Sequence, residues 1–115
     1  MSLSGPARRL MIIIDEDRTW HHKPLGPEIV KRAHAAGLAG ASAFRGIEGF
    51  GSTSRVHTSR ILSLLGKLPV MIVIVDTPEK IEAFLPQLDE LNVGGVATLE
   101  DVQVVRVGQP QAVQP

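Results

Sequence analysis

Gly37, Gly40, Gly46, Gly49 and Gly51 fall within one stretch, GLAGASAFRGIEGFGSTSRVH, that ends at His57. Leu38, Phe44, Ile47 and Phe50 are threaded through it, so it does not read as a plain linker. Glycines in a polar loop beside a strand let backbone N–H groups approach an anion such as a phosphate. Gly49, Phe50, Gly51, Ser52, Thr53 and Ser54 add hydroxyl donors, and Arg55 adds a cation. The glycine-lysine spacing of a Walker A loop is absent, as is the three-glycine dinucleotide fingerprint. Spacing alone leaves two readings open, an anion-binding concavity and a β-hairpin connection. Gly94-Gly95 poses a similar choice, between a positive-φ turn and a second ligand-facing loop.

Other groups promise less. His21-His22 beside Glu16 and Asp17 lacks any diagnostic ligand spacing, so no metal site is expected. His34 falls on a helix surface. Ser54 and His57 are close in sequence without the third group that orients a nucleophile and its base. No catalytic residue is assigned, and the chain is read as not an enzyme. A sheet that binds RNA needs exposed aromatics on its central strands. Trp20, Phe44, Phe50 and Phe84 are the aromatics, tyrosine is absent, and nucleic acid is not an expected partner.

These residues must be held by a small framework. The chain has 115 residues, which suits one domain, taken as residues 8–108 with 1–7 and 109–115 as flexible termini. Its net charge of zero gives no general attraction to nucleic acid or anionic membranes. The absence of cysteine excludes disulfides and thiolate chemistry. No apolar run approaches the ~18 residues of a membrane span, and a cytoplasmic location is expected.

Leu10–Asp15 is a β-rich run, and RTWHHKPLG after it reads as loop. Pro27-Glu28 marks a helix start, with Ile29, Val30, Ala33 and Ala36 as its apolar stripe and Gly37 closing it. Ala41–Ile47 is a strand, Gly49 to Thr58 a loop, and Ser59–Leu65 is ambiguous between strand and short helix. Val70–Asp76 is the strongest strand. Thr77 then caps a helix carrying Ile81, Phe84, Leu85, Leu88 and Leu91, in which Pro86 should kink the axis. Val96–Val107 is the last strand, interrupted at Glu100-Asp101. The order β-α-β-β-α-β is that of an α+β, ferredoxin-like sandwich: a four-stranded antiparallel sheet with two helices on one face. Both faces of Val70–Asp76 and of Leu10–Asp15 are apolar, whereas a half-solvated sheet alternates apolar with polar. A second apolar face left open is unusual in a monomer, so a homo-oligomer is expected.

The motifs EDRTWHHKPLGPEIVKRAHAAGLAGASAFRGIEGFG, VHTSRIL, LPVMIVIVDTPEKIEAFLPQLDEL and GGVATLEDVQVV cover nearly the whole chain. Through them it resembles the PII-like proteins grouped as domain-of-unknown-function family 190. The stretch GLAGASAFRGIEGFG is also similar to the PII nitrogen-signalling proteins. The resemblance implies a homotrimer whose sheets line the trimer axis, with adenine nucleotide in clefts between subunits. It implies no other cofactor. The loop after the second strand would engage a partner protein such as a membrane transporter or channel.

By the same resemblance, Gly49, Phe50 and Gly51 lie at the base of that loop, and Ser52 and Thr53 fall where it meets ligand. Gly40, Ala41 and Ser42 match the segment that faces the base from the neighbouring subunit. Gly94 and Gly95 match the second phosphate-side loop, and Arg106 a C-terminal arginine near the phosphates. Some features depart from PII. The second loop is short and lacks the PII lysine, Val104 replaces an arginine, and the modifiable tyrosine is absent. Lys23, Arg45, Arg55 and Arg60 are the cations that would make up the missing charge. The alternative is a trimeric interaction module that binds no small molecule.

Overall fold

The computed structural model of the chain describes residues 3–50, 57–58 and 68–108. Four long strands make the main sheet: β1 (Gly5–Asp15), β4 (Ala41–Arg45), β7 (Pro69–Asp76) and β8 (Val96–Val104). Their order is β4-β7-β1-β8, every neighbouring pair antiparallel. Helices α1 (Leu25–Ala35) and α2 (Pro78–Glu90) complete the ferredoxin-like α+β fold.

The core lies between the helices and one sheet face. Leu10, Ile12, Ile14, Ile72 and Ile74 point into it and meet Leu25, Ile29 and Ala33 of α1. Ile81, Phe84 and Leu88 of α2 close it, at the helical spacing expected. Ala36, expected in the α1 stripe, is exposed, because the helix ends there. Thr77 caps α2 as expected, its hydroxyl accepting from the Lys80 N–H at 3.3 Å. The helix continues through Pro86 to Glu90. Both helices end in Schellman turns, with Gly37 (φ 78°) and Asn92 (φ 52°) in the left-handed region.

Several boundaries differ from expectation. β1 starts at Gly5, so residues 5–7 belong to the sheet and not to a flexible terminus; they pair with residues 102–104. The RTWHHKPLG segment, expected as loop, holds β2 (Thr19–Trp20) and β3 (Lys23–Pro24). These two strands make a tight hairpin with His21 (φ 50°) and His22 (φ 66°) at its tip. α1 begins at Leu25 instead of Pro27. β4 stops at Arg45, and beyond it β5 (Glu48–Gly49) pairs with β6 (His57–Thr58), where only loop was expected. β8 runs straight through Glu100-Asp101, because Glu100 pairs with Arg9 and Asp101 with Arg8. It ends at Val104, short of Val107. Ser59–Leu65 lies outside the described residues.

The second sheet face has no layer over it among the described residues. Phe44, Met71, Ile13 and Val96 form one rung across all four strands. Phe44, Ile13 and Val96 are 52%, 43% and 63% exposed. The next rung is Ser42, Val73, Met11 and Thr98, and beyond it come Val75, Arg9 and Glu100. The two-faced apolar character read from the strands is thus a property of the folded chain.

Candidate ligand site

The candidate residues sort into two groups at different levels of the sheet. At the level of Ile13, Asp15 and Pro69 lie the segment around Gly49 and the Gly94-Gly95 turn. The Gly46 N–H donates to the Pro69 carbonyl at 2.7 Å. Gly49 is so close to Pro69 that a Cβ there would stand 3.1 Å from the ring. Phe50, next to it, is 68% exposed. Gly95 lies against β1, where a Cβ would be 2.3 Å from the Ile13 carbonyl oxygen. No other residue fits there without moving a strand.

Gly40, Ala41 and Ser42 lie further along. Ala41 pairs with Ile74, which in turn pairs with Leu10. Four residues of strand separate this level from that of Val70 and Ile14, roughly 13 Å. Arg106 is exposed just past β8, whose last residue pairs with Gly5 at the opposite end of β1 from Asp15. One chain therefore gathers Gly49, Phe50, Gly94 and Gly95 on one level and sends Gly40, Ala41, Ser42 and Arg106 away from them. Gly51, Ser52, Thr53, Arg55 and Arg60 lie outside the described residues.

Asp76, which no sequence motif singles out, sets the position of the second group. It is 3% exposed and ends β7. Its carboxylate accepts from the Ala39 N–H at 2.7 Å and from the Thr77 N–H at 2.6 Å. One buried acid so ties the approach to Gly40 to the start of α2. Carboxylates satisfied by backbone N–H groups make strong, charge-assisted hydrogen bonds.

The first group has its own missed partner. Arg18 crosses from the β1–β2 connection to the turn after α2 and donates to the Asn92 carbonyl at 2.8 Å. Gly94 has φ 65°, and a Cβ there would meet the Arg18 guanidinium at 2.8 Å. The glycine lets the planar group lie directly on the backbone. Only a contact between residues so far apart in the chain reveals this, so nothing local in the sequence signals it. Beside the turn, a cavity of about 410 Å³ opens between α2 and β8, lined by Leu85, Leu88, Asp89, Val93, Gly94 and Gly95 among others.

Of the cations expected to supply charge, Arg45 is held by Glu16, with Nε 2.8 Å from one oxygen and an amino group 3.0 Å from the other. Lys23 is exposed on the hairpin. Within that hairpin Trp20 stacks on His21 at 4.1 Å, and Arg32 of α1 lies 5.1 Å over the Trp20 ring and links the hairpin to the helix. Arg32 also reaches Glu90 and Glu28. Its hydrogen bond to Glu90 is the main reason its guanidinium is pushed above its already high pKa, so it stays a cation at any working pH. Among the described residues no group of three or more His, Cys, Asp or Glu could hold a metal ion. No helix of the described residues is long and apolar enough to cross a membrane.

The fold is shared with PII-like proteins of solved structure. A PII-like signalling protein of Thermus thermophilus superposes with a TM-score of 0.65 at 19% identity, covering 88% of this chain and 91% of that one. CPII of Thiomonas intermedia, a nitrogen regulatory PII-like protein solved with ADP, AMP and bicarbonate, gives 0.61 at 20% identity over 88% and 94%. In sequence, a UPF0166 protein of Aquifex aeolicus is 38% identical over 96 residues, 84% of this chain and 90% of its own length. Residues 7–104 match the model of the family described as DUF190, Uncharacterized ACR. The chain belongs to the DUF190 family.

Proposed function

We propose that this protein is a PII-like regulatory protein that binds an adenine nucleotide or a related anionic ligand in clefts between the subunits of a homotrimer. The observation that carries the reading is the division of the candidate residues. Gly49, Phe50, Gly94 and Gly95 lie on one level of the sheet, while Gly40, Ala41, Ser42 and Arg106 lie away from them. Two such halves form one site when neighbouring subunits bring them together. The open apolar rung of Phe44, Met71, Ile13 and Val96 is the surface that association would bury. CPII, of similar fold, has been solved with ADP and AMP, which supports the ligand class. The segment from Gly49 to Arg60 would carry the ligand state to a partner protein such as a transporter or channel, by a shift between two populations. The protein would act in the cytoplasm.

A second reading, a trimeric interaction module without small-molecule binding, rests on a specific fact. Gly94 and Gly95 both have packing reasons to be glycine, contact with Arg18 and with the Ile13 carbonyl. Calorimetric titration of the purified protein with ATP, ADP, AMP and cyclic nucleotides separates the two. Binding of any of them, with a rise in melting temperature, supports the first. A ligand at a hundredfold over its Kd stabilises the fold by about 2.7 kcal/mol. Neither heat nor a melting shift with any nucleotide favours the second.

A further inference from the structure

We infer that Arg18 is the residue through which the Gly94-Gly95 turn holds the phosphate groups of the nucleotide, an inference that rests on the nucleotide reading above. The turn by itself is a poor anion site. It follows the C-terminus of α2, the negative end of the helix dipole. Asp89 lines the adjoining cavity. The N–H groups of Asn92 and Val93 are spent on the Schellman turn, donating to the carbonyls of Asp89 and Leu88. An anion arriving here needs a cation.

Arg18 provides it. Its guanidinium sits on the Gly94 backbone and bonds the neutral Asn92 carbonyl. Among the described residues no carboxylate lies within ion-pair distance of it. The contrast with Arg45 is direct, since both belong to this level of the sheet and Arg45 is bonded on two sides to Glu16. A guanidinium carries five N–H donors in a fixed fork, and the bond to Asn92 occupies one amino group. The remaining donors suit the bidentate geometry that phosphate oxygens prefer. The single bond to Asn92 aims the group, and Gly94 leaves room for it.

The test is calorimetry of ADP and adenosine binding to the full chain and to Arg18→Gln and Arg18→Lys. Arg18→Gln should lower ADP affinity by about tenfold or more, leave adenosine within about twofold, and flatten the salt dependence of ADP binding. Arg18→Lys should recover only part of the ADP affinity, because it keeps the charge and loses the bidentate fork. If Arg18→Gln melts lower yet binds ADP as the parent does, Arg18 is only a brace for the end of α2, and the inference fails while the nucleotide reading stands. If the parent chain binds none of ATP, ADP, AMP and the cyclic nucleotides, both fall together. Side-chain 15N spectra of the parent give a readout that needs no stable Gln variant. The Arg18 Nε–H resonance, identified by its loss in Arg18→Lys, should move with ADP and not with adenosine. An Arg18 signal that ADP leaves in place overturns the inference.

Discussion

Asp76 ties the segment that leads to Gly40, part of the proposed site, to the start of α2. Its carboxylate is buried and meets two backbone N–H groups, on Ala39 and Thr77. Removing it leaves two part-buried N–H groups without their acceptor, each costing about 1–2 kcal/mol, the lower part of the range for a buried donor. Asp76→Ala should therefore lower stability by about 2–4 kcal/mol in urea titration and also weaken nucleotide binding, since it frees the approach to Gly40. An unchanged denaturation midpoint would show that the acid does not tie these segments. The carboxylate is visible in the sequence as the residue before an N-cap threonine. Its reach back to Ala39 is not, because that contact exists only once β4 has docked beside β7.

Elements with strong periodicity are legible in the amino-acid sequence itself. The apolar run of Val70–Asp76 and the spacing of Ile81, Phe84 and Leu88 each specify one element type. The hairpin of β2 and β3 is not legible, because two-residue strands have no period and a turn of two histidines lacks the usual glycine signal. Tertiary contacts stabilise it instead. Arg32 covers Trp20 and links the hairpin to α1 and, through Glu90, to α2. Arg32→Ala should shift Trp20 fluorescence to the red and raise its quenching by acrylamide, while far-ultraviolet circular dichroism stays the same. Unchanged emission would mean that the hairpin holds its place by backbone pairing alone. The polar interruption at Glu100-Asp101 is legible as sequence but not as pairing, since register brings Arg8 and Arg9 opposite it.

On the scale of the whole molecule, the open sheet face and the divided site make the same demand. Ile13 lies mid-rung on that face and is already 43% exposed in the single chain. A carboxylate there costs little in a monomer but a great deal inside an apolar interface. Ile13→Asp should sediment as a folded monomer and lose nucleotide binding in the same step. A variant that stays associated would place the interface elsewhere. The family resemblance points to the candidate residues, and the register shows that one chain holds them at two levels of the sheet.

The division of the site is tested most directly by mixing two defective chains. Gly40→Trp alters one half, at a position where a Cβ meets nothing within 4 Å in the single chain. Phe50→Asp alters the other half at a side chain that is 68% exposed. Each variant alone should bind no ADP by calorimetry. After unfolding and refolding together in equal amounts, ~one quarter of the interfaces pair two intact halves, and ADP binding should return at about that stoichiometry. Binding that never returns in a mixture that has demonstrably exchanged subunits would contradict a site shared between chains.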